Sequence, residues 1–317
     1  MTPPSRLTVP EAPPALAAAA PAPARSRLAA YVALTKPRII ELLLVTTVPT
    51  MVLAAGGLPD WRVVLATLVG GTLAAGSANT LNQVADRDID AVMERTRHRP
   101  IVTGEVSPRA ALGFGLALGV AAVALLWWGT TPLAALLAVA AVVFYAVVYT
   151  LVLKRRTSQN IVWGGAAGFM PVLIGWAAVT GSLAWAPVVL SAVIFFWTPP
   201  HYWPLSMRYR DDYARAQVPM LPVVGSARSL AWQTVAHTLA MVACTLLLVP
   251  VAGMGVVYTV TVVVAGAVFT AAVLGLARQL RTAGEVSTVV RPMRVFHLSI
   301  TYLSVVFLAV AVDPFLV

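Results

Sequence analysis

Charge is scarce in this chain: Asp, Glu, Lys and Arg make up 11% of its 317 residues, where a soluble domain carries about a quarter. Cysteine is scarcer still. The single Cys244 lies inside an apolar run, which excludes a disulfide framework and a cysteine-based metal site. Acids are outnumbered, 12 against 22 basic residues for a net charge of +10. Such an excess invites a nucleic-acid reading, but the basic residues stand between apolar runs and line no common face, so no nucleic-acid partner is expected. What the chain has in abundance is apolar surface, with 59% hydrophobic residues and a mean hydropathy of +0.84. A water-soluble globule and a disordered chain are both excluded. An all-α, polytopic protein of the lipid bilayer remains.

Residues 1–24 hold seven Pro and eight Ala with no hydrophobic periodicity. Proline breaks helices, so residues 1–30 are expected to form a flexible cytoplasmic tail, with 31–317 as the membrane domain. A secretory signal needs a basic start and an unbroken apolar stretch, and this segment has neither. Beyond it, apolar runs of the roughly 20 residues a bilayer core requires fall near 39–58, 62–81, 109–129, 131–152, 161–180, 183–203, 229–249, 254–275 and 295–314. Nine crossings are predicted. In that arrangement 21 of the 22 basic residues lie on one side and only Arg62 on the other. By the positive-inside rule, the N-terminus and the large loops face the cytoplasm of a cell-membrane protein, and the C-terminus faces outward.

The connection from about 79 to 109 carries five of the twelve acids. A helix advances about 100° per residue, which places Asn79, Asn82, Asp86 and Asp90 within one narrow arc and turns Asp88 away from it. Stacked carboxylates repel and raise one another's pKa unless a cation sits between them. Hard oxygen donors of this kind suit Mg²⁺, which takes one or two carboxylates and completes its shell with phosphate oxygens and water. Surface ion pairing with Arg87, Arg95, Arg97 and Arg99 is the competing account. The Asn/Asp face continues out of a membrane-embedded helix, where polar side chains are costly and usually functional; this favours the metal for Asn82, Asp86 and Asp90 and leaves Asp88 as an ion-pair partner. Arg95, Arg97 and Arg99 follow in the string Glu94-Arg95-Thr96-Arg97-His98-Arg99-Pro100. The guanidinium fork matches phosphate oxygens, although membrane anchoring explains arginines there equally well. Lys154 and Arg155 form a second cationic cluster on the same side.

Near 195–213 the chain reads Phe-Phe-Trp-Thr-Pro-Pro-His-Tyr-Trp-Pro and then Tyr-Arg-Asp-Asp-Tyr. The prolines are expected to break the helix, and irregular backbone at that depth needs a cavity or protein shelter. The aromatic residues Trp197 and Tyr202 read either as an interfacial belt or as the wall of a pocket for a flat or cationic species. His201 between them is a hydrogen-bonded interface histidine or a ligand to a metal-bearing substrate.

The spacing Asn82-x-x-x-Asp86-x-x-x-Asp90, followed by Arg95-Thr96-Arg97-His98-Arg99-Pro100, resembles the first aspartate-rich motif of UbiA-type intramembrane prenyltransferases. Four more stretches resemble the heme-modifying branch of that superfamily: Thr35-Lys36-Pro37-Arg38; Tyr149 to Asn160; Trp197-Thr198-Pro199-Pro200-His201; and Asp211-Asp212-Tyr213 running to Pro219-Met220-Leu221-Pro222. The likeness spans about residues 30–315. It implies nine helices around a central cavity open to lipid, and Mg²⁺-dependent transfer of farnesyl from farnesyl diphosphate to a vinyl group of heme b. With water added, the product is heme O, the precursor of heme A for terminal oxidases; heme A synthase or oxidase assembly factors are the partners this implies. Asn82, Asp86 and Asp90 are then the catalytic metal ligands, Arg95, Arg97, Arg99, Lys154 and Arg155 bind diphosphate, and His201, Trp197 and Tyr202 bind heme. Asp211 and Asp212 form a second acidic motif. The superfamily has carboxylates four apart there, whereas this chain has Tyr209 and Tyr213; adjacent residues diverge by about 100° on a helix, which argues against a second Mg²⁺.

Three other functions compete: a related transferase acting on a quinone or chlorin ring, a transporter, and a non-catalytic heme-binding assembly factor. A transporter calls for broken helices at the midplane with inverted repeats, while here the polar clusters sit at helix ends. A binding factor needs the histidine but not the Asn/Asp face. The charge asymmetry makes its own prediction. In a Cys244→Ala background, cysteines at Ser107 and Ser226 should react with an impermeant maleimide only from the cytoplasmic side, and one at Ser182 only from outside. Outside labelling at Ser107 overturns the orientation.

Overall fold

The computed structural model describes residues 26–286 and 291–316, with the backbone alone described for 38–44. It is built from helices, with no strand among the described residues. In chain order they are α1 (Arg27–Thr35), α2 (Pro37–Ala55), α3 (Trp61–Ala85), α4 (Arg87–Val92), α5 (Pro108–Gly129), α6 (Pro132–Val143, continuing as a π-helix over Phe144–Leu153), α7 (Asn160–Thr180), α8 (Trp185–Arg208), α9 (Arg210–Arg215), α10 (Leu221–Val224), α11 (Ala227–Ala252), α12 (Val256–Ala283) and α13 (Pro292–Val312).

A helix stands at each predicted span. Seven are long and apolar enough to cross a membrane among the described residues: α3, α5, Pro132–Leu153, α7, α11, α12 and Pro292–Phe315. Of the remaining two, α2 has side chains outside the described residues, and the polar Thr-Pro-Pro-His segment dilutes the apolar composition of α8. The expected tail falls outside the described residues for 1–25. Its last four residues are helical, because Ser26 caps α1 by accepting a hydrogen bond from the Ala29 amide at 3.3 Å, and Ala30 and Leu34 are buried.

The helix starts follow from local chemistry. Asp60, Ser107, Thr131 and Ser226 accept backbone N–H groups at the first turns of α3, α5, α6 and α11, satisfying donors that no carbonyl can reach. Pro108, Pro132 and Pro292 occupy first positions, where a missing N–H costs nothing. Helices neighbouring in sequence pack together, and α13 returns to lie against α2, which closes the bundle; α7 and α8 also meet, with α8 packed on α11 and α13. The outer stripe Val256, Val260, Val264 and Val268 of α12 is exposed at helical spacing, as a lipid-facing surface must be.

One expectation is overturned. The prolines of the Trp-Thr-Pro-Pro-His string do not break α8, which runs unbroken through Pro199, Pro200 and Pro204 to Arg208. Membrane helices tolerate proline because neighbours shelter the freed carbonyls. Here α7 packs close over the freed carbonyls at Gly165: a Cβ on it would lie 3.3 Å from the Phe195 carbonyl and 3.1 Å from Thr198 Oγ1, a tight fit that glycine relieves.

α3 and α5 meet on small residues in the same way. A Cβ at Gly70 would lie 2.6 Å from Leu126 Cγ, and Ser77 Oγ donates to the Gly115 carbonyl at 2.7 Å. Gly70→Val should therefore cost about 1–3 kcal/mol of overpacking, read as a lower thermal unfolding midpoint in detergent. At neighbouring Gly71 a Cβ meets nothing within 4 Å, and Gly71→Val should leave the midpoint near wild type.

Candidate active site

α3 and α4 together present the acidic ladder. Asp86 is the residue between them, and its amide donates to the Asn82 carbonyl at 2.9 Å while the Asp90 amide donates to the Asp86 carbonyl at 2.8 Å. The i,i+4 register thus carries through the join, and Asn82, Asp86 and Asp90 stack as their spacing predicts. All three are buried, with Asp86 at 0% and Asp90 at 2% exposure. Asn79, the fourth residue of the arc, is used elsewhere: its amide donates to the Thr35 carbonyl at 3.0 Å and ties α3 to α1.

Each carboxylate meets a cation, one from a distant segment and one from the loop just after α4. Lys154 Nζ lies 2.5 Å from Asp86 Oδ2, and Arg99 Nη1 lies 2.5 Å from Asp90 Oδ2. Asn82 Nδ2 donates to Asp86 Oδ2 at 2.7 Å and to Thr150 Oγ1 at 3.1 Å, while its Oδ1 accepts from Lys36 Nζ at 2.9 Å. Burial, with Arg99 and Lys154 nearby, pulls the Lys36 ammonium well below its ordinary pKa. Lys154 and Arg99 thus balance the two carboxylates, and Lys36 adds a third basic group, which an incoming polyanion would favour in its charged form. Among the described residues no group of three or more His, Cys, Asp and Glu comes together. The donor set is instead two carboxylates and an amide oxygen, with Asp86 Oδ1 buried and accepting no hydrogen bond. That oxygen meets only the Arg155 guanidinium, at 3.6 Å; a buried carboxylate oxygen without a hydrogen bond is unusual, and it fits a hard divalent cation that expects part of its shell from phosphate.

The remaining predicted residues divide. Asp88 is an ion-pair partner, as expected: Arg155 grips both of its oxygens at 2.7 Å, and that hydrogen bonding holds the Asp88 carboxyl down at about 2. Arg155 is therefore committed to Asp88, with Nη2 3.6 Å from Asp86 Oδ1. Arg97 is not brought to the ladder; it pairs with Glu94 at 2.5 Å with both side chains about 60% exposed, because neighbours in this turn point apart. Arg95 faces inward. Its guanidinium lies 5.5 Å from the Tyr209 ring centroid, and Nη2 donates to Tyr213 Oη at 3.4 Å. The Tyr213 and Tyr202 hydroxyls are 2.8 Å apart, and burial beside Tyr202 pushes the Tyr213 phenol well above its ordinary pKa.

Asp211 and Asp212 part company. Asp211 is exposed, while Asp212 is buried and accepts the backbone N–H groups of Glu94 at 3.2 Å and Arg95 at 3.1 Å, with Arg215 also paired to it. Asp212 is thus a clamp on the arginine loop, and the pair does not form one acidic site.

In α8, the His201 ring is sandwiched between Trp197, at 4.1 Å between centroids and 15° between planes, and Phe296 of α13, at 4.6 Å and 26°. Trp197 Nε1 donates to the Ser299 carbonyl at 2.8 Å. Tyr202, one residue on, faces the Arg95 cage instead.

Sequence reasoning passed over Lys36, Thr150, Tyr209 and Tyr213 as contacts of this site. Lys36 sits at φ 53°, ψ 62°, a left-handed conformation uncommon outside glycine and enriched where function demands it. Its place just before Pro37, in the Thr35-Lys36-Pro37-Arg38 stretch, is the signal that could have found it, since a proline after it disfavours a helical backbone there.

Residues 43–311 match the UbiA prenyltransferase family, and the chain belongs to that family: it is an intramembrane prenyltransferase. A protoheme IX farnesyltransferase of Leifsonia xyli subsp. xyli is 60% identical over 290 residues, 92% of this chain and 93% of that protein. Another, from Streptomyces avermitilis, is 57% identical over 295 residues, covering 93% and 96%. Among solved structures, one of a digeranylgeranylglyceryl phosphate synthase aligns with a TM-score of 0.73 at 16% identity, covering 92% of this chain and 99% of that one. A UbiA homolog from Archaeoglobus fulgidus bound to GPP and Mg²⁺ aligns with a TM-score of 0.60 at 16% identity, covering 89% and 99%.

The clamp carries a prediction. Asp212→Asn sets an amide N–H against a backbone N–H and should cost about 1–3 kcal/mol of stability, with trypsin cutting after Arg97 faster than in wild type. Asp211→Asn, at an exposed position, should change neither; equal effects at the two positions refute the clamp.

Proposed function

We propose that this chain transfers a farnesyl group from farnesyl diphosphate to a vinyl group of heme b, with water added, giving heme O for heme A and terminal oxidase assembly. The observation that carries the reading is the buried ladder Asn82–Asp86–Asp90 facing Lys36, Lys154 and Arg99. A water-poor cluster of basic side chains around paired carboxylates is what a diphosphate leaving group with its divalent cation requires. The identity to protoheme IX farnesyltransferases along more than nine-tenths of the chain supports the choice of substrates.

Asn82, Asp86 and Asp90 are the residues that would hold Mg²⁺, whose bound charge offsets that developing on the departing diphosphate. Lys154 and Arg99, already beside these carboxylates, supply fixed positive charge to the same leaving group without reorganisation. Arg95 stands behind them in its tyrosine cage, and Lys36 steadies Asn82. Arg155 serves by holding Asp88, and Arg97 contributes to the cytoplasmic surface charge. The bundle excludes water from the allylic cation formed as the carbon–oxygen bond breaks. His201, with Trp197 and Phe296, offers flat apolar faces and a ring nitrogen to a porphyrin. The protein crosses the cell membrane nine times, α2 and α8 included, with this site at the cytoplasmic end, and heme A synthase or an oxidase assembly factor receives the product.

The test is direct. Purified protein with heme b, farnesyl diphosphate and Mg²⁺ should form heme O, detected by mass. Asp86→Ala and Asp90→Ala should abolish turnover, at least 10²-fold, the scale of losing one preorganised electrostatic group, while the protein still elutes as a folded species in detergent. Asp88→Ala should lose far less. Equal losses at all three positions remove the facial argument, and prenylation of a quinone ring in place of heme b overturns the acceptor.

A further inference from the structure

His201 lies against a residue of α13 that no motif marks. Its Nδ1 is 2.7 Å from Ser299 Oγ, and the same Oγ is 2.6 Å from the Phe296 carbonyl. Ser299 is fully buried. A hydroxyl has one proton to give and two lone pairs to receive with, whereas a carbonyl only accepts. The Ser299 proton is therefore spent on the Phe296 carbonyl, and toward His201 the hydroxyl oxygen can only accept.

We propose that Ser299 is a positioning residue that fixes His201 as the Nδ1–H tautomer and leaves Nε2 with its lone pair free to meet heme. The inference rests on the heme reading above and adds the group that prepares the histidine for it. The surroundings hold the ring in place. Trp197 and Phe296 close both of its faces, and the Ser299 carbonyl takes the Trp197 indole N–H, so one residue of α13 anchors both aromatic side chains of the α8 string. A ring so confined cannot turn to exchange its nitrogens without leaving the stack. In metal-binding histidines the second ring nitrogen commonly donates to an oxygen that sets the tautomer and the ring orientation, and a serine oxygen that has already committed its proton can do the same. His237 gives an internal reference. Its Nδ1 is 2.8 Å from the Gln233 carbonyl, which accepts only, so a neutral His237 is Nδ1–H as well.

The experiment reads the tautomer without heme. In protein labelled with ¹⁵N-histidine in detergent at neutral pH, His201, assigned through His201→Ala, should show a protonated Nδ1 and an unprotonated Nε2, as His237 does. Ser299→Ala should shift the His201 signals toward the other tautomer and leave those of His237 in place; Ser299→Thr, which keeps a hydroxyl, should restore them. An Nε2–H tautomer in wild-type protein, or a His201 signal indifferent to Ser299→Ala, overturns the proposal. Titration with ferric heme b is the second arm. Ser299→Ala should weaken binding about three- to tenfold, the fold-change of one hydrogen bond, with Ser299→Thr close to wild type. If His201→Ala leaves heme affinity and absorption unchanged, the heme reading of His201 falls and with it the purpose assigned to Ser299, while the tautomer is decided separately by the nitrogen spectra.

Discussion

Removing a carboxylate from water costs several kcal/mol unless charge and hydrogen bonds replace the lost solvent, and this chain does so at two positions one helical turn apart. The compensation for Asp86 and Asp90 draws together several segments, two of them distant in sequence. Lys36 comes from the junction of α1 and α2, Arg99 from the loop after α4, and Thr150 and Lys154 from the end of the α6 unit. The π-helical winding there is part of the arrangement: Thr150 Oγ1 donates to the Tyr145 carbonyl five residues back and so offers its lone pair to Asn82. π-helical turns are rare and are found frequently at functional sites. The bundle could be stable with an apolar residue at each of these positions, since well-packed hydrophobic replacements of buried ion pairs are often neutral or stabilising. The charges are therefore best understood as retained for what they bind.

The second acidic stretch shows the same physics put to another use. Tyr209 and Tyr213 stand where the wider superfamily carries carboxylates, and both turn to Arg95. Asp212 spends its oxygens on the backbone of residues 94 and 95. A guanidinium buried among phenols keeps its charge, which is what the proposed phosphate-binding role of Arg95 would need. A carboxylate in the place of either tyrosine would neutralise it. In this chain the stretch supplies the frame for an arginine.

Much of this was legible in the chain before its structure. The ladder was, because i,i+4 spacing survives even where one helix ends and the next begins, and Asp88 turns out to Arg155 as its angle requires. The positions of the long helices were legible from apolar runs and from the cap residues Asp60, Ser107, Thr131 and Ser226. Arg97 was not, because the direction of a side chain in a non-helical turn has no period to read. The continuity of α8 through three prolines was not, because it involves the packing of another helix at Gly165. Ser299 was invisible for a related reason: a serine in an apolar helix carries no signal until the histidine 98 residues earlier is placed against it.

The acidic ladder and the His201 stack are joined by α8 and the turn after it. From the Trp197–His201–Phe296 stack the helix passes Tyr202, whose hydroxyl meets Tyr213, and Tyr213 meets Arg95 on the loop that also carries Arg99 to Asp90. Along that path only the Nε2 lone pair of His201, inside the aromatic stack, is open to a proton. The Tyr213 phenol is held well above its ordinary pKa by burial, Asp86 and Asp90 are faced by cations, and the His201 Nδ1 already has its hydrogen-bond partner in Ser299. A phenolic or quinol acceptor must lose a proton as its new bond forms and benefits from a base placed to take it. A vinyl group attacks an allylic cation with its π electrons and has no proton to lose first. A site whose carboxylates face cations suits the alkene acceptor proposed above, and on that reading the flat stack around His201 would receive the macrocycle that carries it.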